Sequence, residues 1–263
     1  MIRLLIFPLL FALHIGNANE LTANVNYKKQ NEQENKITLL TNIESKIYES
    51  FTQSLRLQDN IPLLNLSIEL EEVSSTDEQE IIIYWRSYLQ FYASIYFLKT
   101  SQREAAKNEV DKGISWLNEI QTKNSEEYAL LSMLQGFSIQ FKWTEARSIA
   151  DEAKNNALKA IELDSTNLRA HYVYASNNYY SLGKSNSTKE VEKHLQKAIT
   201  LPAQKVANNR LPSWGKEESF EVLVKLYIEK EEWELAKKYY QEGITEFPNS
   251  YTINQLAGKL VGK

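Results

Sequence analysis

The 263-residue chain contains no cysteine. That absence excludes disulfide staples, thiol catalysis, cysteine-ligated metals and a lipid-modified cysteine anchor, so stability has to come from a packed core. Glycine and proline are scarce, at 8 and 5 residues. Such scarcity, beside ample Leu, Ala, Glu and Lys, favours helix over an all-β fold. Neither sign of charge dominates, since 30 basic residues face 34 acidic ones for a formal −4. Nucleic-acid binding draws on a basic face that displaces counterions from phosphates, and this balance argues against such a partner.

Catalytic signatures are also missing. The sequence holds no GxSxG elbow, no HExxH pair and no glycine-rich phosphate loop, so neither a cofactor nor a metal is expected and the protein reads as non-enzymatic. His171 and His194 are the only histidines beyond the N-terminal segment. His171 falls on a core slot and reads as packing, and His194, beside Lys193, as a solvated side chain. Adjacent acidic pairs such as Glu126–Glu127 and Glu231–Glu232 point in different directions on a helix and read as solvated faces or helix starts.

The first residues, MIRLLIFPLLFALHIGNANE, combine Arg3, an apolar run Leu4–Leu13, and small residues Gly16 and Ala18 before a cleavage point. This pattern is that of a secretory signal peptide over 1–18, and the run is roughly half of what a membrane span needs. The expectation is an exported, periplasmic or secreted protein without stable membrane insertion after signal removal. A flexible polar leader is expected over 19–35 and an N-terminal helical pair over 36–73, the first helix marked by Ile37, Leu40, Ile43, Ile47, Phe51 and Leu55, the second opened by Pro62.

A fixed period then appears. In EESFEVLVKLYIEKEEWELAKKYYQEGITEFPNS, residues 217–250, the positions Phe220, Leu223, Tyr227, Ala236, Tyr240, Gly243 and Pro248 stand at offsets 4, 7, 11, 20, 24, 27 and 32 of a 34-residue unit. These are the marker positions of a tetratricopeptide repeat, and the window resembles that family at each of them; Val224 departs from it at offset 8, where glycine is usual. The resemblance implies an all-α solenoid of stacked helix-turn-helix repeats. Large residues fill the space between two antiparallel helices, A and B, and small ones let the backbones approach.

Looser units precede it. Phe97, Ala106, Val110 and Gly113 mark the first, with Ser101 and Glu104 spaced as a capping box for its helix B. Ala153, Ala157 and Ala160 mark the second, whose helix A places Gly136 at the small slot with about five extra residues before helix B. Tyr174, Ala175, Val191, Leu195 and Ala198 mark the third. About four repeats are thus expected over 77–250, with residues 251–263 as a capping helix.

Aromatics are in excess, with 15 Tyr, 9 Phe and 5 Trp, and YWRSYLQFYASIYF is apolar nearly all round, so some tyrosines are expected in the groove lined by the A helices. The resemblance implies a protein or peptide partner there, in a scaffold or interaction role. The residues singled out are Tyr172, Asn177, Tyr180 and Lys225, together with Trp214 in the 14-residue connection AQKVANNRLPSWGK, because so long a connection between repeats is uncommon unless functional. Tyr172 or Tyr180 is expected to keep exposed ring surface and Trp214 to be buried. Self-association is compatible with this reading. The sequence leaves two other classes open: a small-ligand-binding accessory of a transport system, and a hydrolase using two carboxylates across the groove.

Overall fold

The computed structural model describes residues 38–73, 79–181, 188–203 and 208–263. The expected signal peptide and leader lie outside them. The chain divides into two units, 1–40 and 41–263, the second of which carries the helical array.

Ten helices of a dozen residues or more succeed one another among the described residues: α1 (Ile43–Leu57), α2 (Ile61–Glu72), α3 (Gln79–Lys99), α4 (Arg103–Glu119), α5 (Ser125–Ser138), α6 (Ala146–Leu163), α7 (Leu168–Tyr180), α8 (Thr188–Thr200), α9 (Lys216–Glu229) and α10 (Trp233–Glu246). From α3 on they pair as hairpins, and each hairpin packs on the next. The second unit is therefore an all-α solenoid of stacked helical hairpins. The segment 251–263 forms two four-residue helices, α11 (Tyr251–Asn254) and α12 (Ala257–Leu260), where one capping helix was expected. Ile253, Leu256 and Leu260 bury themselves on the last hairpin all the same.

Small residues hold the hairpins close. Ala106, Ala153, Ala157, Ala160, Ala198 and Ala236 are buried. A Cβ added at Gly243 would come within 3.2 Å of Phe220 and Ile253, and one at Gly113 within 3.1 Å of the Ser87 carbonyl. Serines on the A helices reach the B-helix carbonyls beside these residues: Ser94 Oγ donates to Ala106 O (2.6 Å) and Ser132 Oγ to Ala153 O (2.7 Å). This shared bond corrects the register of the second repeat. Ser132, rather than Gly136, holds the small slot equivalent to Ser94, so the excess before α6 is about one helical turn longer than the spacing suggests. Two short 3₁₀ turns, Ile139–Phe141 and Trp143–Glu145, absorb it. Gly136 instead makes room for Asn177, whose Oδ1 would overlap a Cβ there.

Ser101 does not cap α4. It takes a left-handed conformation (φ 62°), and the N-cap residue Gln102 makes no side-chain capping bond. The tight α3–α4 turn needs that backbone twist, and Glu231 (φ 58°) supplies it at the same place between α9 and α10. A capping box does form where none was expected, at α5. There the Asn124 side chain accepts from the amides of Glu126 and Glu127, and Glu127 Oε2 accepts from Asn124 N.

The array is not a chain of nearest neighbours alone. Residues 208–215 of the long connection form a strap that runs back to the first helices. Asn42 N donates to Asn209 O (3.1 Å), Trp85 Nε1 to Arg210 O (2.9 Å), and Ser213 donates through N and Oγ to Glu44 (2.6 and 3.0 Å). Trp214 Nε1 donates to Tyr84 Oη (2.8 Å), and the indole stacks on Tyr88 at 5.9 Å and 17°. Repeat arrays usually unfold in stages because each unit touches only its neighbours. The repeat pattern alone leads to the expectation of broad or staged unfolding for this chain; the strap, which ties α1 and α3 to the chain just before α9, predicts a cooperative transition instead. Replacing Trp214 by Ala should cost about 3–5 kcal/mol and separate the transition into two; urea denaturation followed by far-ultraviolet circular dichroism checks both effects.

Candidate partner-binding groove

The inner face of the array is lined by the first helices of the hairpins, and the strap occupies part of it. Trp214, 5% exposed, sits between Tyr88 and the edge of Tyr172 (6.1 Å, 80°). Its carbonyl accepts a 3.4 Å bond from Arg169 Nη1. Arg169, 1% exposed, forks onto Glu126 through two 2.5 Å bonds that tie the start of α7 to the start of α5. Burial opposes its charge, but the Glu126 carboxylate outweighs that, and its pKa is raised.

The aromatic surplus of α3 is used here. Tyr84, Tyr88 and Tyr92 have hydroxyl pKa values raised chiefly by burial, and Tyr92 packs edge-on against Tyr88 (5.3 Å, 73°). Tyr172 is raised for the same first reason. Trp214 joins Tyr84, Tyr88 and Tyr172 into one internal seam, and Tyr92 extends it through Tyr88.

Two carboxylates enter the same region. Glu44 accepts from Ser213, and Glu218 Oε2 accepts from Gly215 N at 2.7 Å, just before α9. Burial raises the Glu218 carboxyl to about 7, against the lowering effect of the amides it accepts from. Both groups are held by the strap, Glu44 through Ser213 N and Oγ and Glu218 through Gly215 N.

The residues singled out from the sequence separate into three groups. Trp214 and Asn177 make contacts within the chain: Trp214 in the seam, and Asn177 through Nδ2, which donates to Ser132 O (3.2 Å) and Ser132 Oγ (3.0 Å) and clips α7 to α5. Tyr172 lies half-buried against Trp214. Tyr180 and Lys225 stay together at the rim between α7 and α9. Tyr180 is 60% exposed, Lys225 Nζ lies 3.4 Å from its hydroxyl, and Lys225 also pairs with Glu221. Partial burial would lower the Lys225 pKa, but the Glu221 carboxylate raises it on balance. Tyr179 completes the rim by donating to Glu229 (2.7 Å) and meeting the Tyr180 ring edge-on at 4.8 Å. The pairing of Tyr179 with Glu229 was missed because it depends on how α7 and α9 cross, which repeat spacing alone does not specify.

His194 is not solvated as expected. Its Nδ1 lies 2.8 Å from His171 Nδ1, and His171 Nε2 lies 3.0 Å from Ser165 O. A carbonyl only accepts, so His171 carries its proton on Nε2, and His194 must donate from Nδ1. The pair links α7 to α8, with the Tyr174 ring 4.4 Å from that of His194 and the Glu190 carboxylate 3.8 Å from its Nε2.

No family model and no curated protein matches the chain. Among solved structures, a crystal structure of YrrB, a TPR protein with an unusual peptide-binding site, is similar over 79% of this chain and 97% of its own, at 14% identity and a TM-score of 0.38. At that distance the likeness says nothing about what this chain binds.

Acid sensitivity arises from the histidine pair. Burial, then the neighbouring His171, lowers the His194 pKa from 6.5 to about 4. As pH falls, the unfolded chain takes up this proton first, so the stability present above about pH 6.5 is lost progressively down to about 4. For a half-buried ring the loss is on the order of 1–2 kcal/mol after solvent screening. The difference in unfolding free energy between His194→Gln and the unsubstituted protein should shrink by that amount from pH 7 to pH 4.5, as read by urea titrations at the two pH values.

Proposed function

We propose that this chain is a non-catalytic interaction module that binds an extended protein or peptide segment along the rim formed by Tyr179, Tyr180, Glu221 and Lys225. The observation that carries the reading is Tyr180: an aromatic ring 60% exposed, held beside a lysine, next to an inner face whose other aromatics are already filled. Tyrosine and charged groups of this kind bind with little loss of side-chain freedom, because the rim is set in place by α7 and α9 before a partner arrives. A small-ligand role is less well supported, because Trp214 fills the aromatic seam that a ligand pocket would use.

We further propose that the module acts outside the cytoplasm, on the strength of Arg3, the apolar run and the small residues Gly16 and Ala18 in the N-terminal segment. Among the described residues no helix is long and apolar enough to cross a membrane. The partner would therefore be an envelope or secreted protein.

A photo-crosslinking residue placed at Tyr180 should give one discrete crosslinked partner in native cells, whereas the same residue at exposed Leu163, on α6, should not. Adding Lys225→Glu should remove the Tyr180 product with helicity unchanged. Equal products from positions 180 and 163 would defeat the rim assignment.

A further inference from the structure

The two ends of the array are finished differently. At the C-terminal end α11 and α12 cover the last hairpin with Ile253, Leu256 and Leu260. At the other end the hairpin α1–α2 leaves Leu57, Ile61, Leu64 and Ile68 exposed by 57%, 52%, 50% and 46%. Solenoid ends require a polar outer face for solubility, and this one carries an apolar stripe at i, i+3 and i+7 along α2. Beside it the open surface between α1 and α2 is lined by Leu57, Ile61, Asn65 and Glu69, among others.

We propose that this stripe is the interface of a two-fold homodimer in which α2 packs antiparallel on α2 of a second copy. The sequence is self-complementary in that register. With the axis between Leu64 and Asn65, Ile61 meets Ile68 of the other copy and Leu64 meets Asn65, as an isologous contact demands, and Leu57, at the end of α1, adds apolar surface beside Ile61. Charge points the same way. The last turns of α2 hold Glu69, Glu71 and Glu72 and no basic residue, so acidic groups crowd the negative end of the helix dipole. The opposite end of the hairpin presents the exposed Arg56 in the last turn of α1, while the start of α2 is already served by Asp59, whose Oδ1 accepts from Ile61 N (3.0 Å). Antiparallel pairing brings Glu69 and Glu72 of each copy towards Arg56 of the other. The area fits a modest dimer: four half-exposed side chains and their polar rim bury roughly 500–800 Å² per copy, at the low end for specific interfaces, for a dissociation constant on the order of 1–100 μM.

Sedimentation equilibrium of the full chain across that concentration range tests the inference. The protein should shift from monomer to dimer, and Leu64→Lys should weaken dimerisation at least about 30-fold with unchanged circular dichroism. Arg56→Glu should weaken it about 5-fold and the double variant Arg56→Glu, Glu72→Arg should restore it, an exchange that loss of folding could not reproduce. A monomer at all concentrations overturns the proposal, as does a dimer indifferent to Leu64→Lys. So does a monomer that Leu64→Lys destabilises to heat, which would mean that another segment of the same chain covers the stripe.

Discussion

The contact on which the rest of this structure depends is Trp214. Its indole donates to Tyr84, stacks on Tyr88 and abuts Tyr172, while its carbonyl holds Arg169. Segments 130 residues apart in sequence are thereby brought onto one side chain. Around it the strap completes the closure with main-chain bonds to α3 and to the residue preceding α1, and with the Glu44 carboxylate. Burial of aromatic faces supplies a non-local contribution that a chain without disulfides cannot draw from covalent links. The strap joins the first helices of the stack to the segment that opens the last hairpin.

Closure also decides what the inner face can do. Tyr88, Tyr92 and Tyr172 belong to a seam, and Glu44 and Glu218 are held by strap amides. What remains open is the rim, where Tyr180 and Lys225 are positioned by helices that the strap itself braces. Arg169, fixed by Glu126 at the start of α7, sets the angle of the helix that carries Tyr172, Tyr179 and Tyr180.

Much of the fold could be read from the sequence because repeat packing is local. Phe220, Leu223, Tyr227, Ala236 and Gly243 recur at fixed offsets since two antiparallel helices can approach only where a small residue faces a large one, and those positions are buried in the last hairpin. The second repeat misled because Gly136 looks like the small slot, whereas its missing side chain serves the neighbouring repeat through Asn177. Trp214 could be singled out as an anchor by its place in a polar connection, but not its destination. Contact between Tyr84 and Trp214 leaves no periodic trace. The histidine pair was hidden for a related reason: His171 and His194 sit on facing helices whose spacing in the sequence exceeds that of the repeat by about four residues.

Whether the strap makes the first and last hairpins one cooperative unit is most directly tested by native-state hydrogen exchange at residue resolution. Amides in the middle of α3 and of α9 should open with the same free energy and the same denaturant dependence, equal to those of global unfolding. If α3 opened at a free energy several kcal/mol below that of α9, with a smaller denaturant dependence, the ends would be unfolding independently and the coupling assigned to Trp214 would be contradicted.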